Sequence, residues 1–219
     1  MKLLVTGANG FVGKALCGEL FEQGYAVRGA VRSAKTIVET CERVVVGDFD
    51  EQTDWENALA GMDVVIHLAA RVHVMHDTSI DPLAAFRQVN VAGTENLARQ
   101  AARAGVKRLV YVSSIKVNGE ATDGVRKFSE LDVPDPQDPY GVSKYEAEQA
   151  LHRVAAEAGL EVVIARPPLV YGAGVKGNFA QMLRVLAKGI PLPLASVGRL
   201  FCGAFVQAAV RCAPIGLMS

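Results

Sequence analysis

The 219-residue chain has no excess of charge of either sign and no long hydrophobic run. Its 23 lysines and arginines match 23 aspartates and glutamates, so its charge favours neither nucleic acid nor a membrane surface as a partner. No apolar run reaches the ~18 residues of a membrane span, and the first residues are typical of a strand rather than a signal peptide. We therefore expect a cytoplasmic protein that binds neither nucleic acid nor membrane.

Cysteine is sparse, and its spacing shows no close pair of the metal-binding kind. The four cysteines, which we interpret as free thiols of a cytosolic protein, are Cys17, Cys41, Cys202 and Cys212. His73 and His76 lie three residues apart, but without a third ligand nearby they do not predict a metal site. Half of the residues are hydrophobic, which is enough for the core of one α/β domain or slightly more.

The chain opens on a glycine-rich turn. Residues 3–5 form the apolar run of a strand buried on both faces, and apolar residues at helical spacing begin at Phe11. Between them lie Gly7, Gly10 and Gly13. Glycines at such a turn permit close approach to a pyrophosphate, which also meets the N–H groups of the helix N-terminus. The context favours a dinucleotide-binding turn over an ordinary strand–helix turn.

Six short apolar segments alternate with helical patterns along the chain. They cover residues 3–5, 25–31, 43–47, 63–68, 108–113 and 161–166. The predicted helices include one over residues 82–104, one that begins near Thr53 and one over residues 138–158. This alternation predicts an α/β fold, a doubly wound parallel sheet of the Rossmann type.

The end of the second predicted strand bears on which dinucleotide binds. Enzymes that use NAD carry an acidic residue there for the ribose hydroxyls, whereas this chain has Val31 followed by Arg32. An arginine at this place pairs with the 2′-phosphate of NADP, unless it is simply solvated in a loop. We therefore predict NAD or NADP as the cofactor, and Arg32 favours NADP.

Tyr140 and Lys144 are four residues apart in a predicted helix and therefore share one face. A free tyrosine has a pKa near ~10, and a lysine ammonium close by lowers that pKa so that the phenol works as a base. Ser113 and Ser114 end the fifth predicted strand. Together with the opening glycines, these residues predict an active site that removes a proton from a substrate hydroxyl.

These motifs resemble the extended short-chain dehydrogenase/reductase family, in its NAD-dependent epimerase/dehydratase branch. The resemblance rests on the spacing Gly-x-x-Gly-x-x-Gly after Thr6 and on the pair Phe11 and Val12 within it. It rests equally on the serine that ends the fifth strand and on the Tyr-x-x-x-Lys spacing. The resemblance covers residues 1–198 and implies an enzyme of this family.

The resemblance also implies a set of site residues. The family places its catalytic serine five residues before a loop-closing glycine, here Gly119, which selects Ser114 over Ser113. The implied catalytic residues are Ser114, Tyr140 and Lys144. The implied cofactor-binding residues are Gly7, Gly10, Phe11, Val12, Gly13, Arg32, Asp48, Phe49, Leu68, Ala69, Ala70, Asn90, Tyr140, Lys144 and Pro167. The implied substrate-binding residues are Arg71, Ser114, Tyr140 and Asn178.

Some of these implied roles have ordinary alternatives. Asp48 would bond the adenine amine with Phe49 beside the ring, or it would cap the helix that begins near Thr53. Asn178 would contact the diphosphate of a UDP-sugar, or it would serve as the N-cap of the next helix. Asn90, inside the long predicted helix, would brace the neighbouring strand and position the active-site groups.

The resemblance implies a nucleotide-sugar 4-epimerase that acts on a UDP-hexose or UDP-N-acetylhexosamine. Tyr140 would deprotonate the sugar 4-hydroxyl while hydride passes to the nicotinamide and returns to the other face of the sugar. A 4,6-dehydratase is not expected, because Ile115 and Lys116 stand where those relatives carry an Asp-Glu pair. The alternatives are an NADPH-dependent 4-keto-sugar reductase and a dinucleotide-binding chain without catalysis.

The chain divides into three predicted parts. Residues 1–166 form the dinucleotide-binding domain, and residues 167–198 begin a sugar-nucleotide-binding subdomain that is incomplete here. Residues 199–219 depart from the family pattern, since Arg211 is the only charged residue after Leu200. We therefore expect a C-terminally truncated family member with an atypical tail, and homodimer formation is left open.

Overall fold

A six-stranded parallel sheet forms the centre of the computed structural model, which describes residues 1–72, 81–122 and 127–172 and the backbone of residues 203–205. The strands are β1 (Lys2–Thr6), β2 (Ala26–Val31), β3 (Glu42–Val45), β4 (Val64–His67), β5 (Arg108–Val112) and β6 (Glu161–Ala165). Their order is β3-β2-β1-β4-β5-β6. This order confirms the predicted doubly wound α/β fold, and it reverses between β1 and β4, which makes a topological switch point there.

The two faces of the sheet bury separate hydrophobic clusters. Alternate residues of β1 point to opposite faces, so Leu4 packs into one cluster and Leu3 and Val5 into the other. In β4, Val65 lies on the Leu4 side and Ile66 on the Val5 side. Strands buried on both faces are continuous apolar runs, which is why the sequence predicts them.

Helices cover both faces of this sheet. Those described are α1 (Phe11–Glu22), α2 (Glu56–Leu59), α3 (Pro82–Arg87), α4 (Thr94–Arg103) and α5 (Pro139–Ala158). On the Leu3 side, α1 packs through Leu16 and Leu20. On the Leu4 side lie α2, α4 and α5, so the parallel sheet is enclosed from both directions.

Local chemistry fixes both ends of α5, which carries candidate site residues. At its start the Asp138 carboxylate accepts a 2.6 Å hydrogen bond from Gly141 N, and Pro139 occupies the first turn. At its end Gly159 has φ +68°, a left-handed conformation that glycine adopts without steric cost. The helix therefore begins immediately before Tyr140.

The helix predicted over residues 82–104 is not a regular α-helix. After α3 the chain enters a π-helical segment, Gln88–Gly93, and α4 follows directly. This wider turn places Asn90 in the interior, 1% exposed, and brings Gly93 against the Phe49 ring. The predicted long helix is therefore present, and what the sequence does not predict is its π-helical turn, which tertiary contacts rather than local propensity hold.

The helix predicted to begin near Thr53 begins at Glu56 instead. Trp55 precedes it, and the side chain that accepts a 2.9 Å hydrogen bond from its first N–H, that of Glu56, is Asp54, so the alternative role of Asp48 as its cap is wrong. The Thr53 hydroxyl donates a 2.7 Å hydrogen bond to the Asp48 carbonyl and folds this stretch into a turn. Trp55 is 1% exposed and fills the core beside that turn.

A second, two-stranded sheet follows the main one in the chain. β7 (Leu169–Tyr171) pairs in parallel with β8 (Gly203–Phe205), so the predicted subdomain and the predicted tail share backbone pairing. The predicted boundaries at residues 166 and 198 stay predictions. Asn178, His73 and His76 lie outside the described residues. Across the described ranges, no helix is both long and apolar enough to cross a membrane.

Candidate functional site

The glycine-rich turn lies at the carboxyl end of β1, beside the end of β4. Gly7 has φ +67°, and a Cβ on it would lie 2.9 Å from Ala69 N. A Cβ on Gly13 would lie 2.1 Å from the Gly7 carbonyl oxygen, so both positions require glycine. No side chain caps α1 at Gly10, which leaves the N-terminal N–H groups of this helix for an anion.

A buried hydrogen-bond chain joins the ends of β1 and β4. Thr6 Oγ1 lies 2.6 Å from His67 Nδ1. The same oxygen accepts hydrogen bonds from Leu68 N and Ala69 N at 3.2 and 3.1 Å. His67 Nε2 lies 3.0 Å from Thr94 Oγ1 on α4. Burial lowers the pKa of His67 to about 3, so a neutral imidazole braces the floor of the site.

The residues predicted to meet the adenosine end of the cofactor follow β2 and β3. Val31 is buried, while Arg32 and Asp48 are exposed to solvent. The Phe49 ring is only 8% exposed and packs edge-on against Trp55, with ring centroids 5.6 Å apart. The structure therefore places Arg32 and Asp48 beyond the carboxyl ends of β2 and β3, and Phe49 mainly in the core.

Lys144 ties the first turns of α5 to the carboxyl end of β5. Its Nζ donates a 2.7 Å hydrogen bond to the carbonyl of Val112, the last residue of β5. Ser114 follows two residues later, and its Oγ accepts a 3.2 Å hydrogen bond from Lys116 N at the start of a 3₁₀ turn. Tyr140 lies one helical turn before Lys144. The structure thus brings Ser114, Tyr140 and Lys144 to the carboxyl end of β5.

The acidity of Tyr140 differs from the expectation drawn from the sequence. Burial, followed by the negative charge of Asp138, raises the pKa of Tyr140 to about 12. The lysine that lowers the pKa of Tyr140 is Lys116, not Lys144. Burial also lowers the pKa of Lys144 to about 7, so its amine is only partly protonated at neutral pH. The expectation that Lys144 lowers the Tyr140 pKa is therefore wrong for this structure.

An aromatic contact supports the Tyr140 ring. The Phe86 ring, from α3, meets it edge-on with centroids 6.0 Å apart. The Arg71 guanidinium lies 5.6 Å from the centre of the same Phe86 ring, which draws this predicted substrate residue toward Tyr140. Phe86 is not among the predicted site residues, although its place four residues before Asn90 is a signal that it lies on the same helix face.

The Asn90 side chain links two parts of the site. Its Oδ1 accepts a 2.8 Å hydrogen bond from Arg71 N, and its Nδ2 donates to Arg71 O at 3.0 Å. The same Nδ2 donates to Ser143 Oγ at 3.0 Å, and Ser143 donates in turn to the Tyr140 carbonyl at 2.8 Å. Asn90 therefore positions Arg71 and the first turn of α5, and its role toward a cofactor stays a prediction. Ser143 is not among the predicted site residues.

The chain after β6 lies beside the candidate serine. The Pro167 carbonyl accepts a 3.1 Å hydrogen bond from Ile115 N, the residue next to Ser114. Just before it, the Arg166 guanidinium bonds the Glu148 carboxylate of α5 at 3.0 and 2.6 Å. Glu148 is 2% exposed, so this buried ion pair holds the end of β6 against α5 and fixes Pro167 at the carboxyl end of β6.

The remaining predicted cofactor residues lie at the carboxyl ends of β1 and β4. They are half-buried, and they either begin α1 or follow β4: Phe11, Val12, Leu68, Ala69 and Ala70. The glycine turn and the Ser-Tyr-Lys group thus lie on the two sides of the switch point, where open α/β sheets bind their ligands. Within the part of the chain that the structure describes, no group of three or more His, Cys, Asp or Glu side chains could hold a metal ion.

A glycine cradle and a Ser-Tyr-Lys group on a doubly wound sheet are typical of enzymes that bind a dinucleotide. The model of the NAD dependent epimerase/dehydratase family matches residues 3–200, from β1 to beyond β7. The chain belongs to this family. The resemblance predicted from its motifs is confirmed.

Several characterised proteins are similar to this chain. It is 48% identical to the UDP-glucose 4-epimerase of Vibrio cholerae over 198 residues, which cover 89% of this chain and 60% of that protein. It is 36% identical over 178 residues to the 2-alkyl-3-oxoalkanoate reductase of Stenotrophomonas maltophilia, covering 80% of this chain and 52% of that protein. The chain thus spans between 52% and 60% of the length of these two relatives.

Solved structures resemble the chain over its whole length. MoeE5 in complex with UDP-glucuronic acid and NAD matches with a TM-score of 0.84 and 31% identity, over 100% of this chain and 73% of that one. The UDP-glucose 4-epimerase of Thermotoga maritima with UDP-glucose matches with a TM-score of 0.80 and 26% identity, over 100% of this chain and 74% of that one. The fold of the chain is therefore the fold of these proteins.

Proposed function

We propose that this chain carries the dinucleotide-binding and catalytic part of a nucleotide-sugar 4-epimerase. The observation that carries the proposal is the meeting of Ser114, Tyr140 and Lys144 at the carboxyl end of β5, across the switch point from the glycine turn. The similarity to the UDP-glucose 4-epimerase of Vibrio cholerae supports the reaction. The proposed substrates are UDP-hexoses or UDP-N-acetylhexosamines.

NAD or NADP fits the glycine turn. A Cβ on Gly7 or Gly13 would strike backbone atoms, and its absence lets a pyrophosphate approach the backbone closely. The N-terminus of α1 would hold the phosphates, and Arg32 and Asp48 would hold the adenosine end. When bound, the nicotinamide supplies the hydride acceptor and donor that a 4-epimerase requires.

Tyr140 serves as the base in this proposal. It takes the proton of the sugar 4-hydroxyl, Ser114 Oγ donates a hydrogen bond to the same oxygen, and Tyr140 later returns the proton. A pKa of about 12 keeps Tyr140 protonated at neutral pH, so the phenol needs positive charge beside it. Lys116 is the cation that lowers the Tyr140 pKa in this structure. Lys144, one helical turn from Tyr140, would hold the nicotinamide ribose.

Two other reactions use related sites. A 4,6-dehydratase is not proposed, because Ile115 and Lys116, the two residues after Ser114, carry no carboxylate. A 4-keto-sugar reductase is the second candidate, because it would use the same Ser-Tyr-Lys group. Arg32 in place of an acidic residue and the 36% identity to a reductase favour this candidate.

Incubation with UDP-glucose and NAD, followed by chromatographic separation of UDP-glucose from UDP-galactose, tests the proposal. The expected outcome is a mixture of the two C4 epimers without net formation of NADH. Tyr140→Phe should slow the reaction by about 100-fold or more, since general-base catalysis contributes about that much. Its affinity for NADH, followed by NADH fluorescence, should remain, because the glycine turn holds the phosphates.

The matched control is Tyr25→Phe, the same change next to the amino end of β2, which should alter neither rate nor affinity. A Tyr140→Phe chain that turns over at the wild-type rate would reject the assigned base. Oxidation of NADPH by a 4-keto sugar, without epimer formation, would favour the reductase. Tight dinucleotide binding with turnover of neither kind would favour a chain that only binds.

A further inference from the structure

Two cysteines meet behind the glycine turn. Cys17 lies on α1 and is 0% exposed, while the half-buried Cys41 lies just before β3. Both pack in the hydrophobic cluster on the α1 face of the sheet, together with Ala8 of the turn. The fold therefore brings together two free thiols that are distant in the sequence.

A glycine in β2 makes the space for the Cys41 sulfur. A Cβ on Gly29 would lie 2.6 Å from Cys41 Sγ and 2.9 Å from Ala8 Cβ, so any larger residue there would displace the sulfur. The Gly29 backbone also hydrogen-bonds the Cys41 thiol, and the Cys17 thiol interacts with it from α1 on the same face of the sheet. The Cys41 sulfur is thus held in the same buried cluster as Cys17.

These contacts make the two thiols chemically unequal. The hydrogen bond with Cys17, together with that from Gly29, lowers the pKa of Cys41. The hydrogen bond with Cys41 and then burial raise the pKa of Cys17. Because the thiolate is the reactive form of cysteine, the more accessible Cys41 reacts first with an oxidant. Cys17 stays protonated beside it.

We propose that Cys17 and Cys41 are a peroxide-sensitive pair that forms a reversible disulfide. The Cys41 thiolate attacks one oxygen of hydrogen peroxide, which breaks the O–O bond and gives a sulfenic acid and hydroxide. The Cys17 thiol then passes its proton to the departing hydroxyl as its sulfur attacks the Cys41 sulfur, so that the S–S bond forms, the S–O bond breaks and water leaves. In total the two thiols lose two electrons and two protons, and the peroxide is reduced to two waters.

The disulfide would join α1 to the segment between β2 and β3. Because α1 opens at the glycine turn, and Ala8 of that turn packs against Gly29, the cross-link lies immediately behind the turn. Oxidation would therefore modify the wall of the proposed cofactor site and leave the Ser-Tyr-Lys group untouched. This inference does not depend on the proposed reaction.

Peptide mapping of the wild-type chain after peroxide treatment tests the pair. Free thiols are blocked with N-ethylmaleimide after oxidation, and the digest is analysed by mass spectrometry with and without dithiothreitol. The expected product is a pair of peptides joined between Cys17 and Cys41, two hydrogens lighter than the reduced pair and separated again by dithiothreitol. Sulfinic acid at Cys41 with Cys17 still free, or a disulfide from Cys41 to Cys202 or Cys212, would overturn the proposal.

Serine variants separate the roles of the two thiols, in a background where Cys202 and Cys212 are also changed to serine. Cys17→Ser removes the second thiol, so the sulfenic acid at Cys41 should accumulate and be trapped by dimedone. Cys41→Ser should leave Cys17 reduced under the same treatment. Oxidation of Cys17 at the wild-type rate in that variant would contradict the order of events. Melting curves check that each variant folds. If a variant does not fold, the peptide map of the wild-type chain alone tests whether the disulfide forms.

Discussion

The acidity of Tyr140 depends on a small group of charged neighbours. Asp138 raises its pKa and Lys116 lowers it, while Lys116 is itself paired with Asp138 and Glu120. Removal of one member of this group therefore changes two interactions at Tyr140. Loss of Lys116 withdraws a cation from the phenolate and also leaves the Asp138 charge less compensated, so both changes favour the neutral phenol.

Lys116→Met should raise the pKa of Tyr140 further. The measurement is a spectrophotometric titration of the phenolate, with Tyr140→Phe used to subtract the other tyrosines. Lys107→Met, at an exposed lysine just before β5, is the control and should leave the titration unchanged. An unchanged or lower pKa of Tyr140 in Lys116→Met would show that the lysine does not act on this phenol.

His67 makes the stability of the fold depend on pH. Its pKa is about 3 in the folded chain and 6.5 for an ordinary histidine. As the pH falls below about 6.5, the unfolded chain takes up a proton that the folded chain refuses. Stability is therefore lost between about pH 6.5 and about pH 3, at up to about 1.4 kcal/mol per pH unit.

Chemical denaturation at about pH 7 and about pH 5 should show this loss in the free energy of unfolding. His67→Asn removes the titrating group and should reduce the difference between the two pH values. The variant should also be less stable at both, because the hydroxyls of Thr6 and Thr94 lose their buried partner. His152→Asn, at an exposed position of α5, should retain the wild-type pH dependence. An equal pH dependence in His67→Asn and wild type would assign the effect to other groups.

The sequence predicts the residues whose role follows from spacing, and it misses those whose role follows from contact. Residues four apart in a helix share one face, so the proximity of Tyr140 and Lys144 is predictable. Phe86 has this spacing to Asn90, but the spacing does not predict its contact with Tyr140, and no spacing singles out Ser143. Ser143 matters because it bonds Asn90, and Phe86 because its ring meets Tyr140, and both contacts exist only in the folded chain.

Among the elements, β1 and β4 are predicted well because continuous apolar runs mark strands buried on both faces. The π-helical segment Gln88–Gly93 is not predictable in that way. Its residues have ordinary helical character, and the wider turn is held by the Asn90 bonds to Arg71 and by the contact of Gly93 with Phe49. The start of α2 at Glu56 similarly depends on the Thr53 turn before it.

Gly93→Ala tests the packing of the π-helical segment. A Cβ on Gly93 would lie 3.0 Å from Phe49 Cε1 and 3.3 Å from Asp50 Cα, so the ring or the backbone must move. Overpacking of this kind costs about 1–3 kcal/mol, which should appear as a lower free energy of unfolding. The matched control is Gly18→Ala in α1, where nothing lies within 4 Å of the new Cβ. That change should stabilise the chain by up to about 1 kcal/mol. A destabilisation of the same size in both variants would remove the packing argument.

Across the whole molecule, the proposed cofactor site extends over both halves of the sheet. The glycine turn and Arg32 belong to the half that contains β1, β2 and β3, and the Ser-Tyr-Lys group to the half that contains β4, β5 and β6. The alternation of strands and helices predicts this class of fold, because parallel strands need crossover helices. It does not fix which strands adjoin at the switch point, since that order depends on packing between distant segments.

A ligand bound across both halves should stabilise the folded chain as a unit, because it binds the folded state alone. Thermal melting with NADH and with NADPH should therefore show an increase in Tm for each cofactor that binds. Arg32 is exposed at the end of β2, where the 2′-phosphate of NADPH would lie, whereas Lys144 lies at the other end of the proposed site. Arg32→Ala should lower the affinity for NADPH about tenfold, a loss of about 1.4 kcal/mol, and change that for NADH little. Lys144→Met should lower both.

Arg103→Ala, at an exposed arginine of α4, is the control for a general loss of positive charge and should leave both Tm increases unchanged. The comparison of the two cofactors within one variant separates a 2′-phosphate contact from general destabilisation, because the latter lowers Tm with and without ligand alike. Equal loss of NADH and NADPH binding in Arg32→Ala would mean that this side chain contacts the adenosine part common to both cofactors and not the 2′-phosphate. Tighter binding of NADH in the wild type, unaffected by Arg32→Ala, would assign the cofactor as NAD despite the missing acidic residue.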